Sequence, residues 1–482
     1  MNQAPVVGIV GGGVSGLAAA YFLRQQVPRV RLRLWEASER LGGALRTEWI
    51  DGYCVEAGAD MFITNVPWAV ELCRRLGVEL VGTNPEHRGA YVVHRGKVVP
   101  IPEGFTVMLP TRIGPLLTTP LLSWRGKLRL LAEPLVPPRM EPADESLAEF
   151  AIRRMGREAF QRLVQPLVAG IYAADAWQLS MQAALGRFVQ MERRYGSLGA
   201  AWWHSRRKSA RRNENGSDTG ARYGLFVAPR RGMHELVQRL AQQLPEDALQ
   251  LRTAAVGLQR QGSRWQLQLR RQEPDADKQQ HLRETVDALV LAVPAYRAAE
   301  LLAAEDATLS RLLNQIPYGS AAVVCFAVRR GQLPQPPQGF GFVVPEVENR
   351  RILAVSFSSV KFPHRAPPEG LLVRVFIGGQ RLQPLLECSD QQLQQVAWEE
   401  ISQLCGWSAR PLWHRVYRWP QAMAQYHVGH LERVWQIRRR LQQHPSLALL
   451  GNAYDGVGVP FCIRGAQQAA KRLADQLHRR GT

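Results

Sequence analysis

VVGIVGGGVSGLAAAYFL, Val6 to Leu23, decides the fold. Val6 to Val10 is a short apolar run, the pattern of a strand buried on both faces. Gly11, Gly13 and Gly16 then set the G-x-G-x-x-G spacing, with Gly12, Val14 and Ser15 between them. The first glycine permits a tight turn, the second lets backbone approach a pyrophosphate, and the third lets a helix pack against the sheet. A helix is predicted from about Val14 to Gln26, stopping before Pro28. Its first-turn N–H groups and dipole favour a diphosphate. A second strand, Val30 to Trp35, delivers Glu36 and Ala37 where a carboxylate can accept from ribose hydroxyls. One glycine-rich turn is weak evidence, but strand, turn, helix, strand and acid follow in order here.

The other end carries LALLGNAYDGVGVPFCIRGAQQAA, Leu447 to Ala470, a second glycine-rich turn between an apolar strand and a helix. One large dinucleotide held by both ends explains the pair. Strand-like stretches recur between them, at Ala90–Val93, Leu225–Ala228, Ala288–Val293, Ala322–Val328, Phe340–Val344, Leu353–Phe357 and Leu371–Ile377. Helical, proline-spaced sequence dominates from about Pro102 to Trp203. His204 to Tyr223 is polar and basic and reads as a solvated, disordered loop, with an anionic-lipid contact as the alternative. There is no internal repeat.

Composition bounds the function. The chain has 482 residues, enough for two or three domains, and 61 basic against 41 acidic residues give a formal charge of +20. That balance suits an anionic partner or simply an arginine-rich proteome. No RRM, zinc-finger or helix-turn-helix signature points to nucleic acid. Cys54, Cys73, Cys325, Cys388, Cys405 and Cys462 are scattered, as reduced thiols are, with no zinc spacing and no metal site expected. Met1 to Pro5 leaves no room for a signal peptide, and no apolar run reaches the roughly twenty residues of a membrane span. The expectation is an intracellular protein, soluble or peripheral. In Phe105 to Val136, leucines and Trp124 mix with Arg112, Arg125, Lys127 and Arg129. A helix lying in a membrane interface and a core helix pair with a basic outer face both fit that mixture.

The run Arg40-Leu41-Gly42-Gly43, with Ala44 and then Arg46-Thr47, resembles the flavoprotein extension of the fingerprint in the amine oxidase, phytoene desaturase and protoporphyrinogen oxidase superfamily. The resemblance implies FAD. It places Glu56-Ala57-Gly58-Ala59-Asp60 and Met61 in the loop beside the isoalloxazine ring, with Asp60 the one carboxylate there to test as a catalytic group. It sets the backbone of Val256 against the adenine. Trp419 would cover the ring or sit in the core, and Val457, Gly458 and Val459 would open a helix toward the flavin.

QPLVAGIYAADAWQLSMQAAL, Gln165 to Leu185, is similar to the G-x-Y-A-G-D-x-x-x-L-S-m stretch of oxygen-dependent protoporphyrinogen oxidases. Gly170, Tyr172, Ala173, Asp175, Leu179, Ser180 and Met181 match, while Ala174 replaces a glycine. Gly451, Gly456, Gly458, Pro460, Cys462 and Gly465 match that family's closing motif, and FSSVKFPHRAP (Phe357 to Pro367) and VFIGG (Val375 to Gly379) add to it. The resemblance implies an α/β fold: a discontinuous Rossmann-like FAD-binding domain over 1–85, 224–300 and 412–482, a mixed α+β substrate-binding domain over 301–411, and a helical membrane-docking insertion over 86–223. The implied activity is oxidation of protoporphyrinogen IX to protoporphyrin IX by FAD and O2, with release of hydrogen peroxide, in haem biosynthesis. Coproporphyrinogen III oxidation is the alternative, and a flavin amine oxidase or carotenoid desaturase a more distant one. Gly170, Val343, Ser356 and Phe376 would line the substrate slot. Relatives place an arginine where this chain has Ala90, so Arg88 would meet a propionate or the carboxylates are held differently. Implied partners are the cytoplasmic face of the inner membrane, a ferrochelatase and a second copy of the chain. His427 and His430 read as structural.

Overall fold

The computed structural model describes residues 4–87, 89–139, 141, 143–210, 226–273, 279–337 and 339–481. Its first sheet is parallel, in the order Leu249–Gln250, Arg31–Trp35, Val6–Val10, Ala288–Leu291, Leu447–Leu449. Period-two alternation divides these strands between two cores. Val7, Ile9, Ala288, Val290 and Ala448 pack against the helices Val14–Gln26 and Val459–Gly481. Val10, Leu289, Leu291, Leu447 and Leu449 face the antiparallel ribbon Thr253–Gln261, Arg264–Gln272 and Gln279–Val286, through Leu258, Trp265 and Leu267.

A second sheet has seven strands, in the order Trp413–Ala424, Tyr318–Arg329, Gly370–Gly378, Ala354–Phe357, Gly341–Val343, Tyr91–His94, Lys97–Pro100. Every pair is antiparallel except Gly341–Val343 with Tyr91–His94. One face, with Val324, Phe326, Val373 and Val375, is covered by helix Asp390–Cys405 through Leu393, Ala397 and Ile401. The other face packs the hairpin Thr47–Ile50/Tyr53–Glu56 at one end, through Tyr53, Val55 and Ala57. Residues 91–100 and 413–424 thus hydrogen-bond into this sheet, not into the helical stretch or the cofactor sheet with which they were expected to group.

Helices fill most of 113–210. A buried ion network ties them together. The fully buried guanidinium of Arg154 pairs with Glu133 and donates to the carbonyl of Val136 at 2.8 Å. Glu133 also accepts from the backbone N–H groups of Leu198 and Gly199 at 2.9 and 3.0 Å. Breaking such a pair strands a buried charge, at a cost of about 3–5 kcal/mol.

Two expectations about this stretch change. Residues 204–210 are not loop but the end of helix Leu198–Ala210; the remainder of the predicted loop, 211–223, lies outside the described residues. Phe105–Val136 is not one interfacial helix. It forms a short hairpin (Phe105–Thr106 with Leu109–Pro110), helices Ile113–Thr118 and Trp124–Leu131, and a final turn Glu133–Leu135. Lys127 and Arg129 are structural there. Lys127 is buried, donates to the Leu117 carbonyl at 2.7 Å and lies 4.6 Å from the Trp124 ring centre. Arg129 donates to the carbonyls of Arg153 and Arg154 at the end of helix Leu147–Met155, at 2.6 and 3.1 Å. Among the described residues no helix is long and apolar enough to cross a membrane.

Candidate flavin and substrate site

The glycines of the first turn have three separate reasons to be glycine. Gly11 has φ +105°, and a Cβ there would lie 2.4 Å from the Ala292 carbonyl oxygen. A Cβ on Gly16 would lie 2.0 Å from the Gly11 carbonyl oxygen, so helix and strand can close only without one. Gly12, outside the motif spacing, is crowded by Leu41 at 2.6 Å. Gly13 differs from all of these: a Cβ there would meet nothing within 4 Å. It stands at the start of helix Val14–Gln26, which no side chain caps. An uncapped helix start behind a side-chain-free opening fits a diphosphate on physical grounds.

The Arg40–Gly43 run lies directly on this turn. Gly42 donates to the Gly12 carbonyl at 2.8 Å, and Gly43, at φ +56°, sits where its Cβ would be 3.4 Å from the Gly13 Cα. Arg40 braces the run by donating to the Gly43 carbonyl at 2.8 Å. Glu36 accepts from the Gly12 N–H at 2.6 Å and from Ser38, whose N–H and hydroxyl donate at 2.9 and 2.7 Å. Its neighbouring backbone reaches the ribbon: Thr253 donates to the Glu36 carbonyl at 2.8 Å. Three residues on, the ladder pairs Ala255 with Leu269 and Gly257 with Gln268, so Val256 is bulged out of register. Its side chain is 44% exposed. A bulge that takes one residue's backbone out of the ladder leaves that backbone able to meet a planar base.

The loop after Glu56 is held by charge. The Asp60 carboxylate lies 3.0 Å from Lys361 Nζ and 3.2 Å from Arg374, with Arg365 at 3.9 Å. Arg365 also donates to the Asp60 carbonyl at 2.7 Å, and Arg374 to the Gly58 carbonyl. Buried Glu56 accepts from Thr47 and the Met233 N–H, both at 2.8 Å, and lies 3.5 Å from Arg365. Burial alone would raise the Asp60 pKa, but Lys361, Arg374 and Arg365 hold it well below the usual carboxylate range. Burial pushes the Glu56 carboxyl up and the Lys361 ammonium down. A carboxylate so engaged is an anchor and a poor proton acceptor, which removes the case for Asp60 as a base. Gly58 is required sterically, since a Cβ there would lie 2.1 Å from the Ala44 carbonyl oxygen. Trp419 donates from its indole to the Ala57 carbonyl at 2.8 Å and is half-buried against the same loop. The motif FSSVKFPHRAP carried Lys361 and Arg365 in plain view, but their partner lies some three hundred residues earlier in the chain, where spacing gives no signal.

The closing segment reaches the same area. Gly451 and Gly456 have φ +136° and +134°, turning the chain from strand Leu447–Leu449 into Val457, Gly458 and helix Val459–Gly481. Nearby, His430 is buried and stacks on Tyr426 with ring centres 4.1 Å apart; burial lowers its pKa to about 4, so it is a neutral packing element.

Register sets the substrate-side residues on one face. Phe376 pairs with Ala354 on one side and Val323 on the other, Val343 pairs with Ala354, Ser356 pairs with Gly341 and Arg374, and Trp419 pairs with Ala321. Alternation therefore puts Val343, Ala354, Ser356, Arg374, Phe376 and Trp419 on the face that carries the Thr47–Glu56 hairpin. Gly170, exposed in helix Gln165–Tyr172, closes on this face: a Cβ there would be 3.4 Å from Val343 Cγ1. Phe376 is half-buried with the Arg374 guanidinium 5.0 Å from its ring, and the buried Ser356 hydroxyl has no hydrogen-bond partner among the described residues. Arg88 lies outside the described residues. The cysteines are free, and among the described residues no cluster of His, Cys, Asp or Glu could hold a metal.

Known proteins share this arrangement. The chain is 30% identical to the coproporphyrinogen III oxidase of Bacillus subtilis (strain 168), over 94% of this chain and 95% of that one. It is 30% identical to the protoporphyrinogen oxidase of Homo sapiens, over 96% and 97%. A crystal structure of a candidate protoporphyrinogen oxidase from Exiguobacterium sp. 255-15 superposes with TM-score 0.85 at 29% identity, covering 99% of this chain and 100% of that one. The family model for flavin containing amine oxidoreductases matches residues 14–474. The cofactor is FAD, the chain is an FAD-dependent oxidoreductase, and it belongs to the flavin containing amine oxidoreductase family.

Proposed function

We propose that this chain oxidises protoporphyrinogen IX to protoporphyrin IX, passing six electrons in three two-electron steps through FAD to O2 with release of hydrogen peroxide. The supporting observation is the single sheet face that runs from Val343, Ser356 and Phe376, under Gly170, to Trp419 and the Gly58–Asp60 loop. Four strand steps of roughly 4.8 Å make that strip about 19 Å long, room for a flat tetrapyrrole beside the flavin.

Bound FAD would accept hydride from the macrocycle and return the electrons to O2. Gly11–Gly16, Glu36, Ala37, Arg40, Gly43, Ala44, Gly58–Met61, Val256, Trp419 and Val457–Val459 would hold it. The protein's part is position. Phe376 offers a ring face to a pyrrole, Ser356 a hydroxyl, and Gly170 the clearance a ring needs. Asp60 and its cations fix the cofactor loop, so that a macrocycle C–H can sit at about 3–3.5 Å for transfer.

Coproporphyrinogen III is the second reading, and the name of the Bacillus subtilis relative favours it. Both porphyrinogens, incubated aerobically with purified protein while porphyrin fluorescence and peroxide are followed, separate the two. Faster turnover of coproporphyrinogen III establishes the second reading, and turnover of neither ends both.

The chain would work at a membrane surface, on the cytoplasmic face. Ile113, Trp124, Leu128 and Leu135 are 60%, 67%, 65% and 84% exposed within one stretch, beside exposed Arg125. Apolar side chains with basic neighbours suit an anionic bilayer interface. The division into a cofactor unit, a substrate unit and a helical docking unit, a hand-over contact with a ferrochelatase and a homodimer belong to the same reading.

A further inference from the structure

On the far side of the hairpin Thr47–Ile50/Tyr53–Glu56 from the slot lies a cavity of about 560 Å³. Alternation along the strand separates the two. Glu48 and Ile50 turn to the seven-stranded sheet, where Glu48 accepts from the Tyr417 hydroxyl at 2.7 Å. Thr47 and Trp49 turn the other way and form one wall of the cavity. Helix His234–Ala241, with Arg230 and Arg231 between it and strand Phe226–Pro229, forms the other.

These walls combine an aromatic plane with cations. Trp49 is 56% exposed, although tryptophan is mostly buried in folded proteins. The exposed Arg231 guanidinium makes no hydrogen bond or ion pair among the described residues. Arg230 meets Glu79 at 2.7 Å in a pair exposed on both sides, which leaves most of its charge available. His234 faces the Leu45 carbonyl through Nδ1 at 3.3 Å, so Nε2 is left for the cavity. The acid on these walls, Glu235, is buried and accepts from the Arg231 N–H at 3.2 Å. The helix start itself offers little, since the N–H groups of Met233 and His234 are taken by Glu56 and Thr47 at 2.8 and 3.0 Å. Recognition here falls to side chains.

Size and chemistry set the ligand class. Cavities of roughly 300–1,000 Å³ hold small molecules. An exposed indole offers a stacking face to a flat ring. Two arginines with a histidine suit a doubly charged phosphate better than a single carboxylate. The cavity also touches the support of the Gly58–Asp60 loop. Thr47 donates to Glu56 at 2.8 Å, and Arg365, the partner of Glu56, donates to the Asp60 carbonyl at 2.7 Å. His364, the residue before Arg365, lines the cavity.

We propose that this cavity is a second ligand site, for a nucleoside monophosphate, whose base stacks on Trp49 while its phosphate meets Arg231, Arg230 and His234. The site lies across the hairpin from the slot, so it fills while FAD is bound. It stands whether or not the chain oxidises a porphyrinogen.

The test is calorimetric titration of the FAD-loaded protein with adenosine monophosphate, inorganic phosphate and adenosine, with visible absorbance showing that FAD stays bound. The monophosphate should bind about tenfold or more tighter than either fragment. Arg231→Gln should weaken it about tenfold and erase its advantage over adenosine, by loss of a charge-assisted hydrogen bond. Trp49→Ser should weaken it about fivefold or more and erase its advantage over phosphate, by loss of stacking. Both side chains are exposed, so both variants should keep the parent's melting temperature. A monophosphate that binds no tighter than phosphate overturns the ligand class. Affinity unmoved by both substitutions overturns the site. Binding confined to FAD-free protein overturns it too, since that marks the cofactor's own adenosine pocket.

Discussion

At the residue scale, Gly13 and Asp60 show two opposite relations between a side chain and a cofactor site. Gly13 is empty by design: nothing in the protein needs the space a Cβ would take. Gly13→Val should therefore fold, with unfolding free energy within about 1 kcal/mol of the parent apoprotein. It should purify without the visible flavin band, as absorbance and circular dichroism melting will show. Asp60 is the reverse, a carboxylate surrounded by partners. Its folded-state pKa is lowered, so its stabilisation is complete above the unfolded-state value near 4 and drains away as pH falls below that. Asp60→Asn should cost about 3–5 kcal/mol in urea unfolding at pH 7; that difference should begin to shrink as pH falls below about 4, with most of it still present at pH 3 because the folded carboxylate stays ionised there. The glycine was legible in the sequence because its reason is local. The aspartate's role was not, because Lys361, Arg365 and Arg374 reach it only through the sheet that brings their strands and turns together.

At the scale of elements, helix Ala307–Asn314 is pinned through one carboxylate. Asp306 caps it by accepting from the Leu309 N–H at 2.9 Å, and also meets Arg440 at 2.7 Å and His444 at 2.9 Å. These partners outweigh burial and lower its pKa to about 2. Asp306→Ala should lower stability at pH 7 by about 2–4 kcal/mol, by loss of the cap and of the ionised partner together. The stabilisation that wild type draws from ionised Asp306 is full above about pH 4 and fades toward pH 2, which a urea midpoint series will follow. The proposed membrane contact of residues 113–135 is tested by its exposed apolar side chains. Trp124→Ser, Leu128→Ser and Leu135→Ser combined should abolish co-sedimentation with anionic vesicles and leave the melting temperature nearly unchanged, since these side chains are exposed. Charge reversal is informative only at Arg125, because Lys127 and Arg129 hold neighbouring carbonyls. Composition foresaw a basic, leucine-rich surface here. It could not tell which basic side chains turn inward.

At the scale of the whole molecule, the residues proposed to hold FAD come from positions 11–61, 256, 419 and 457–459, on both sheets and the ribbon. A ligand touching so many separate segments binds only the assembled chain. Stripping FAD should lower the melting temperature, and adding it back at a hundredfold over Kd should restore about 2.7 kcal/mol. Much of this architecture could be read in advance: the strands at both ends, and those near 288, 322, 354 and 371, fall where alternating or continuous apolar runs predicted them. The grouping of strands could not. Tyr91–His94 and Trp413–Ala424 join the seven-stranded sheet through partners far off in sequence, and periodicity within a strand says nothing of its neighbour.

The parallel sheet is completed by a strand that lies far down the chain from its neighbour. Its edge strand Ala288–Leu291 receives its neighbour only when Leu447–Leu449 arrives, and the helix that covers it, Val459–Gly481, follows. On a ribosome working at roughly 5–20 residues per second, that apolar edge stands open for about 8–30 s. During that interval the nascent chain presents the unpaired strand that chaperones guard and aggregates recruit. A translation product halted before Leu447 would keep it permanently.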